Sequence, residues 1–213
     1  MTNLKIAVQK SGRLNDESFT LLKECGISIN NGKDQLMAQA SNFPMEVLYL
    51  RNSDIPQYVK DGIADIAIIG DNTEKEKKTG IENVLNLGFS KCRLSIAVPK
   101  SVDFKDISYL QGKRIATSYP TSLRDFLEEN KISAEIHEIS GSVEIAPNIG
   151  LADAICDLVS TGSTLFKNGL KEVYKIFESQ AILVANPDLS PEKRALLDQL
   201  VFRIKAVLAS KCN

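Results

Sequence analysis

At 213 residues, 43% hydrophobic and 25% charged, the chain is long enough to bury one large core or two smaller ones, which excludes a disordered protein. A formal net charge of −1 and a pI near 6.0 provide no overall positive field, so no nucleic acid partner is expected and a phosphate would need a local pocket. No apolar run reaches the roughly 18 residues of a membrane span, so no membrane association is expected.

The cysteine pattern indicates a reducing compartment. Cys25, Cys92, Cys156 and Cys212 are widely spaced, form no C-x-x-C pair and share the chain with a single histidine, His137. This argues against both a zinc site and a disulfide framework. The N-terminus has only a five-residue apolar run, too short for the core of a signal peptide, so we expect a cytoplasmic protein.

Short β-type runs alternate with helical patterns along most of the chain, which predicts an α/β fold. The first helix is expected to have Asn15 as its N-cap and to end at Gly26, and the second to end at Gly62, since glycine suits the left-handed position after a helix. The charged segment 74–80 is expected to be a solvated connector. The predicted strands are LKIAV, MEVLYL, ADIAIIG, LSIAV, RIAT, EIHEI, AICDLV and AILVA.

The clearest helix is the last one, with Ser190 as N-cap and Pro191 as its first residue. Its apolar stripe must pack against another surface. The stripe comprises Leu197, Leu200, Val201, Ile204, Val207 and Leu208.

The strongest candidate for a ligand site is the loop after the strand AICDLV. Its backbone N–H groups and hydroxyls can form a neutral cradle for a phosphate dianion. Asp153 and Asp157 precede the loop. A carboxylate repels a nearby phosphate unless ribose hydroxyls or Mg²⁺ lie between them. We therefore expect a ribose 5-phosphate as the ligand. The alternative is a hydroxyl-rich helix cap with two surface acids. The loop consists of Ser160, Thr161, Gly162, Ser163 and Thr164.

Residues beside other strands could also bind a ligand, because ligands gather at the carboxyl ends of strands in open α/β sheets. Lys10 and Arg13 surround Gly12 at a helix start, where two cations suggest a bound anion. Asp71 follows a buried strand, and Arg93 begins one with a planar group able to grip a diphosphate. Each has a structural alternative: a solvated turn, an Asx turn, or an arginine paired with a carboxylate.

Two further residues are candidates. Tyr119 either lines a pocket or caps a helix. Glu144 is suited to ribose hydroxyls, although an acid in the first turn of a helix is expected on dipole grounds alone. The sequence contains no P-loop, dinucleotide fingerprint, nucleophile elbow or H-E-x-x-H motif, which argues against P-loop phosphotransfer, hydride transfer and triad hydrolysis.

Six segments together resemble ATP phosphoribosyltransferase, the first enzyme of histidine biosynthesis, in order from about residue 4 to the final helix. They are QKSGRL, IIGDN, KCRLSIAVP, GKRIATSYP, SGSVEIAP and GLADAICDLVSTGSTL. The resemblance implies a two-lobed α/β fold of the periplasmic-binding-protein type II class, with the active site in the interlobe cleft. It assigns residues 1–93 and 186–213 to a first lobe on the ATP side, and residues 94–185 to a second lobe on the phosphoribosyl pyrophosphate side.

The resemblance also implies a reaction, in which N1 of ATP attacks C1 of phosphoribosyl pyrophosphate and pyrophosphate leaves with Mg²⁺. The ligands of Mg²⁺ are not predicted. Phosphoribosyl pyrophosphate is assigned to Glu144, Asp153, Asp157, Ser160, Thr161, Gly162, Ser163 and Thr164. ATP and its polyphosphate are assigned to Lys10, Gly12, Arg13, Asp71, Arg93 and Tyr119.

For assembly, the resemblance implies at least a homodimer. Short family members also work with a regulatory subunit resembling histidyl-tRNA synthetase. The residues of the motifs in this chain, however, are closer to those in the catalytic part of a long form. The alternative functions are a two-lobed small-ligand-binding module and a non-catalytic homologue. The lack of a signal peptide or a preceding helix-turn-helix argues against the first, and the intact acids and loop against the second.

Overall fold

The computed structural model describes residues 2–30 and 35–211, and Cys212 lies outside these ranges. The chain forms two compact units. The first unit contains residues 1–90 and 180–213, and the second contains residues 91–179.

The unit boundaries differ by a few residues from the expected ones. Cys92 and Arg93 begin a strand of the second unit, so the first crossing falls at residue 90 rather than 93. Residues 181–185 pair with strands of the first unit, so the chain returns there at residue 180 rather than 186.

The first unit is built on a six-stranded sheet of order β2-β3-β1-β4-β11-β5, in which β3, β1 and β4 run parallel. Its strands are β1 (Leu4–Gln9), β2 (Met37–Gln39), β3 (Met45–Leu50), β4 (Ile66–Gly70), β5 (Glu82–Asn86) and β11 (Ala181–Ala185). Its helices are α1 (Arg13–Glu24), α2 (Ile55–Lys60), α3 (Asp71–Lys77) and α6 (Pro191–Ser210).

Both faces of this sheet are covered. Leu22 of α1 and Leu200 of α6 join the core on one face, while Ile55 and Val59 of α2 pack on the other. The stripe predicted for the last helix is confirmed, since three of its members are fully buried and the other three pack against the same core. The helix therefore covers the first unit, as the resemblance implies.

The second unit is built on a five-stranded sheet of order β10-β6-β9-β7-β8. Its strands are β6 (Cys92–Pro99), β7 (Arg114–Thr117), β8 (Glu135–Glu138), β9 (Ala154–Val159) and β10 (Leu170–Ser179). Its α-helices are α4 (Pro120–Glu129) and α5 (Ser163–Lys167), and short 3₁₀ turns span Ile107–Leu110 and Val143–Ile145.

The two faces of the second sheet bury different layers. Leu123 and Phe126 of α4 pack on one face, and Val143 and Leu165 pack on the other. None of the helices within the described residues is long and apolar enough to cross a membrane.

All eight runs predicted as strands are strands in the structure, but three further strands, β2, β5 and β10, were not predicted. Two local predictions are wrong. Helix α1 begins at Arg13 with Gly12 as its N-cap at a φ of 95°, and the side chain of Asn15 instead donates a hydrogen bond to the Gln9 carbonyl at 2.5 Å. Much of segment 74–80 belongs to helix α3 and is not a connector.

The last helix is tied to the first sheet by a buried carboxylate. Asp65 is 3% exposed and accepts hydrogen bonds from the backbone N–H of Lys5 at 2.8 Å and from the Lys193 ammonium at 2.7 Å. Such charge-assisted bonds are worth more than neutral ones because the surroundings are only partly hydrated.

We predict that Asp65→Ala lowers the free energy of unfolding by about 2–4 kcal/mol, because it leaves the Lys5 N–H and the Lys193 ammonium without their acceptor. Urea denaturation measures the change. The control is Glu24→Ala, which breaks an exposed pair with Lys211 and should cost about 0–1 kcal/mol. Equal losses in the two variants would contradict the anchoring role of Asp65.

Candidate active site

One edge of the second sheet collects most of the candidate residues. Strands β7 and β9 run parallel and β6 runs antiparallel to β9, so the ends of β7 and β9 lie at the same edge as the start of β6. This edge therefore carries Tyr119, the loop 160–164 and Arg93. Pairing of Arg93 with Val159 places the arginine directly beside the loop.

The loop 160–164 has the geometry of a tight turn into a helix. Gly162 has a left-handed φ of 79° and acts as the N-cap of α5, a conformation that favours glycine. The Thr161 hydroxyl lies 3.2 Å from the Ser163 hydroxyl and accepts a hydrogen bond from the Ser163 N–H at 3.4 Å. Ser160, Thr161, Ser163 and Thr164 are all exposed, so their polar groups are accessible to a ligand.

Asp157 lies on the sheet face just before this loop. It is partly buried between the buried side chains of Ile155 and Val159 on β9. Burial raises its pKa from 3.8 to about 6, the Leu158 N–H opposes this by donating a hydrogen bond, and the negative charge of Glu144 raises the pKa further. Glu144 therefore lies near enough for its charge to act on the Asp157 carboxyl, and the assignment of both residues to one substrate stays a prediction.

Arg93 is committed to protein partners. Its Nε and Nη2 donate to the two carboxylate oxygens of Glu172, each at 2.5 Å, and its Nη1 donates to the Ser160 carbonyl at 3.1 Å. The Glu172 hydrogen bond is the main cause of the raised Arg93 pKa. Arg93 therefore belongs to the second unit and lies beside the loop, whereas Lys10, Gly12, Arg13 and Asp71, with which it was grouped, belong to the first unit.

Asp153 is not brought together with the loop. It precedes β9 at the opposite end from residues 160–164. Its carboxylate accepts hydrogen bonds from the Arg114 backbone at 2.9 Å and from the Arg114 guanidinium at 3.1 Å, and these bonds lower its pKa. The structure thus shows Asp153 in an ion pair that links the starts of β7 and β9.

Tyr119 occupies the N-cap position of α4, at the carboxyl end of β7. Its backbone N–H donates a hydrogen bond to the Thr117 hydroxyl at 2.8 Å, and its ring packs against the core beneath α4. It lies in the second unit, although it was assigned to the ATP side together with first-unit residues.

The first unit gathers a second group of candidates at the carboxyl ends of β1, β3 and β4. The loop after β1 holds Lys10 and Gly12, and the Lys10 N–H donates to the Leu50 carbonyl at 2.9 Å. Lys10 and Arg13 are exposed, and Arg13 lies 4.0 Å from Glu17, a distance at the limit of an ion pair. Two cations thus stand at the start of α1, where the helix dipole favours an anion.

Asp71 is the first residue of α3, directly after β4 and therefore at the same edge as Lys10. Its carboxylate pairs with Lys75 at 2.5 Å. A Cβ at the preceding Gly70 would lie 2.3 Å from the Asn72 Oδ1, so a larger residue there would require the Asn72 side chain to move.

Sequence reasoning missed several residues in these two groups. Arg51 directly follows β3, and the rule applied to other strand ends would have selected it. Asn52 donates to the Thr73 hydroxyl at 2.9 Å and so links the loop after β3 to helix α3, which follows β4. Glu172 had no such signal, because its strand was not predicted.

The fold and these loops define a two-unit α/β protein with a phosphate-type loop in one unit and a basic helix start in the other. The family model described as ATP phosphoribosyltransferase matches residues 51–206. The ATP phosphoribosyltransferase of Cytophaga hutchinsonii is 61% identical over 97% of this chain and 72% of that protein, and that of Bacteroides thetaiotaomicron is 53% identical over 96% and 72%. The chain belongs to the ATP phosphoribosyltransferase family.

Solved structures agree with this assignment. The ATP phosphoribosyl transferase (HisG:HisZ) complex from Thermotoga maritima aligns with a TM-score of 0.83 and 29% identity, covering 97% of this chain and 99% of that one. A substrate-binding protein of an amino acid ABC transporter aligns with a TM-score of 0.65 at 14% identity, which shows the fold alone. The predicted family and the predicted fold class are confirmed.

The raised pKa of Asp157 leads to a prediction about stability. Between about pH 4 and pH 6 the unfolded chain ionises this carboxyl while the folded chain keeps its proton, so stability falls as pH rises through this range. Asp157→Asn removes this loss. We expect the variant to match the parent near pH 4 and to exceed it by about 1–2 kcal/mol above pH 6, after allowing for partial hydration of the site.

Thermal or urea unfolding across this pH range measures the effect. Asp103→Asn, at an exposed loop position, is the matched control and should give a curve parallel to that of the parent. A constant difference between Asp157→Asn and the parent at every pH would show that Asp157 ionises normally.

Proposed function

We propose that this chain transfers the 5-phosphoribosyl group of phosphoribosyl pyrophosphate to N1 of ATP and releases pyrophosphate, as the first step of histidine biosynthesis. The observation that carries the proposal is the pairing of a phosphate-type loop with two neighbouring acids, Asp157 and Glu144, in a member of this family. A binding module is not favoured, since the transporter-type neighbour shares only the fold.

The second unit is proposed to bind phosphoribosyl pyrophosphate. The loop 160–164 offers backbone N–H groups and hydroxyls to the 5-phosphate without adding a charge of its own. Asp157 and Glu144 would accept hydrogen bonds from the ribose hydroxyls, which keeps their charges from facing the phosphate directly. Asp153 is the weakest member of the predicted set, because Arg114 occupies its carboxylate.

The first unit is proposed to bind ATP and its polyphosphate. Lys10 and Arg13 provide positive charge at the start of α1, and Gly12 lets the backbone turn closely around an anion. Asp71 is proposed to face the nucleoside part at the same edge. Arg51 adds a third cation to this group.

The chemistry asks for positioning and charge stabilisation. Adenine N1 carries a lone pair and forms the new bond to C1 without prior deprotonation, while the C1–O bond breaks and its electrons leave with pyrophosphate. A general base is therefore unnecessary, which suits a site assembled without histidine. Carboxylates near the ribose can stabilise the positive charge that develops at C1 during the transfer.

Mg²⁺ is proposed to enter with the pyrophosphate group of the substrate. Across residues 2–30 and 35–211, no cluster of three His, Cys, Asp or Glu side chains could hold a metal ion. Mg²⁺ is often bound through one or two carboxylates plus substrate phosphates, and Asp157 with Glu144 fits that donor set. Bound in this way, the ion would neutralise charge on the leaving group.

Assembly and location are also part of the proposal. We propose at least a homodimer and, if the chain is a short form, a regulatory partner subunit resembling histidyl-tRNA synthetase. The HisG:HisZ complex from Thermotoga maritima supports a partner subunit. Cys25, Cys92 and Cys156 form no disulfide among the described residues, which supports a cytoplasmic location.

The direct experiment is a continuous assay of the ultraviolet absorbance of phosphoribosyl-ATP, with ATP, phosphoribosyl pyrophosphate, Mg²⁺ and a pyrophosphatase. We expect turnover that depends on ATP, phosphoribosyl pyrophosphate and Mg²⁺. Parallel reactions with added histidine test for feedback. Binding of both substrates without any turnover would contradict the proposed activity of this chain.

We predict that Asp157→Asn raises the KM for phosphoribosyl pyrophosphate and lowers kcat, because the ribose loses a charged acceptor. Together these changes should lower kcat/KM for this substrate by roughly 10- to 100-fold. The KM for ATP should stay near that of the parent. Asp103→Asn is again the control. Unchanged kinetics for Asp157→Asn would remove this residue from the site.

A further inference from the structure

Arg93, Glu172 and Ser95 form a connected polar cluster, here called the Arg93 clamp, on the face of the second sheet that also carries Asp157. The Ser95 hydroxyl donates to Glu172 at 2.8 Å, and Ser95 is 1% exposed. Arg93 grips both oxygens of Glu172 and reaches the Ser160 carbonyl with its remaining Nη. The cluster thus runs from strand β10 through β6 to the first residue of the loop 160–164.

We propose that the Arg93 clamp is a positioning device that holds the phosphate-type loop in its binding shape, with Arg93 acting through the loop and not as a phosphate ligand. For its kinetic consequences this inference rests on the proposed function. Glu172 is the element that makes the clamp rigid, since a bidentate pair fixes the plane of the guanidinium.

The hydrogen bonds of Arg93 support this role over direct binding. Three of its nitrogen atoms already donate to Glu172 and Ser160, and binding a phosphate in the same plane would require breaking that bidentate pair. Nη1 meets the loop at a backbone carbonyl, where it restrains the chain at Ser160, before the turn at Gly162. The Ser160 carbonyl oxygen carries partial negative charge and would repel an anionic ligand. It needs a hydrogen-bond donor, which the Arg93 guanidinium provides.

The test compares Arg93→Lys and Glu172→Gln. Lysine keeps the charge but loses the fork, and glutamine keeps the shape of Glu172 but loses its charge. If the clamp positions the loop, both variants should raise the KM for phosphoribosyl pyrophosphate about tenfold or more while changing the KM for ATP less than about twofold. If Arg93 instead binds phosphate directly, Glu172→Gln frees it and should leave that KM unchanged or lower it, which would overturn the proposal.

Amide hydrogen exchange gives a readout that does not depend on turnover. In the protein without substrates, exchange at Thr161, Gly162 and Ser163 should become faster in both variants, while the thermal midpoint stays close to that of the parent. Unchanged exchange in the loop would overturn the clamp even if the enzyme is active. Absence of turnover in the parent would instead refute the proposed function, and the exchange data would still decide the clamp.

Two matched controls separate the clamp from general effects of substitution. Glu129→Gln makes the same change as Glu172→Gln at an exposed position near the end of α4. Arg124→Lys makes the same change at an exposed position on α4. Both controls should match the parent in loop exchange and in both KM values, and a control that behaves like the clamp variants would also overturn the proposal.

Discussion

The antiparallel register between β6 and β9 determines the chemistry of the second unit. It sets Ser95 opposite Asp157 and Arg93 opposite Val159, so a polar row crosses a face that is otherwise apolar. Successive side chains of a strand point to opposite faces of the sheet. A register shift of one residue would therefore move these polar side chains into the apolar core on the opposite face and bring apolar side chains to this face. The partly buried Asp157 and the restraint of the loop by Arg93 therefore both depend on the pairing of β6 with β9.

This row also answers an electrostatic problem. The loop 160–164, proposed to bind a phosphate dianion, lies close to three acids, Asp157, Glu144 and Glu172, and unneutralised negative charge there would oppose binding. The ion pair with Arg93 neutralises Glu172 and lowers its pKa. Of these three acids, Asp157 and Glu144 are then left to receive hydrogen bonds from a ligand, and the proposed ribose would offer two neighbouring hydroxyls to them.

The parts that sequence reasoning predicted are those that local patterns determine. The turn around Gly162 follows from a glycine among hydroxyl residues, and the strands follow from short apolar runs. The roles of Asp153 and Arg93 depend on partners 39 and 79 residues away in the chain, which no local pattern indicates. Glu172 stayed hidden because register shifts in β10 disturb the alternation by which a strand is recognised.

Asp157 shows how the site and the fold compete. Burial beside Glu144 makes its ionised form unfavourable in the folded protein, and an uncharged side chain of the same shape would be more stable there. A carboxylate at this position has a function if a ligand donates hydrogen bonds to it, because the hydroxyl groups of a bound sugar would stabilise its negative charge. Under the proposed function, a bound ribose should therefore favour the ionised form of Asp157 and reduce this cost to stability.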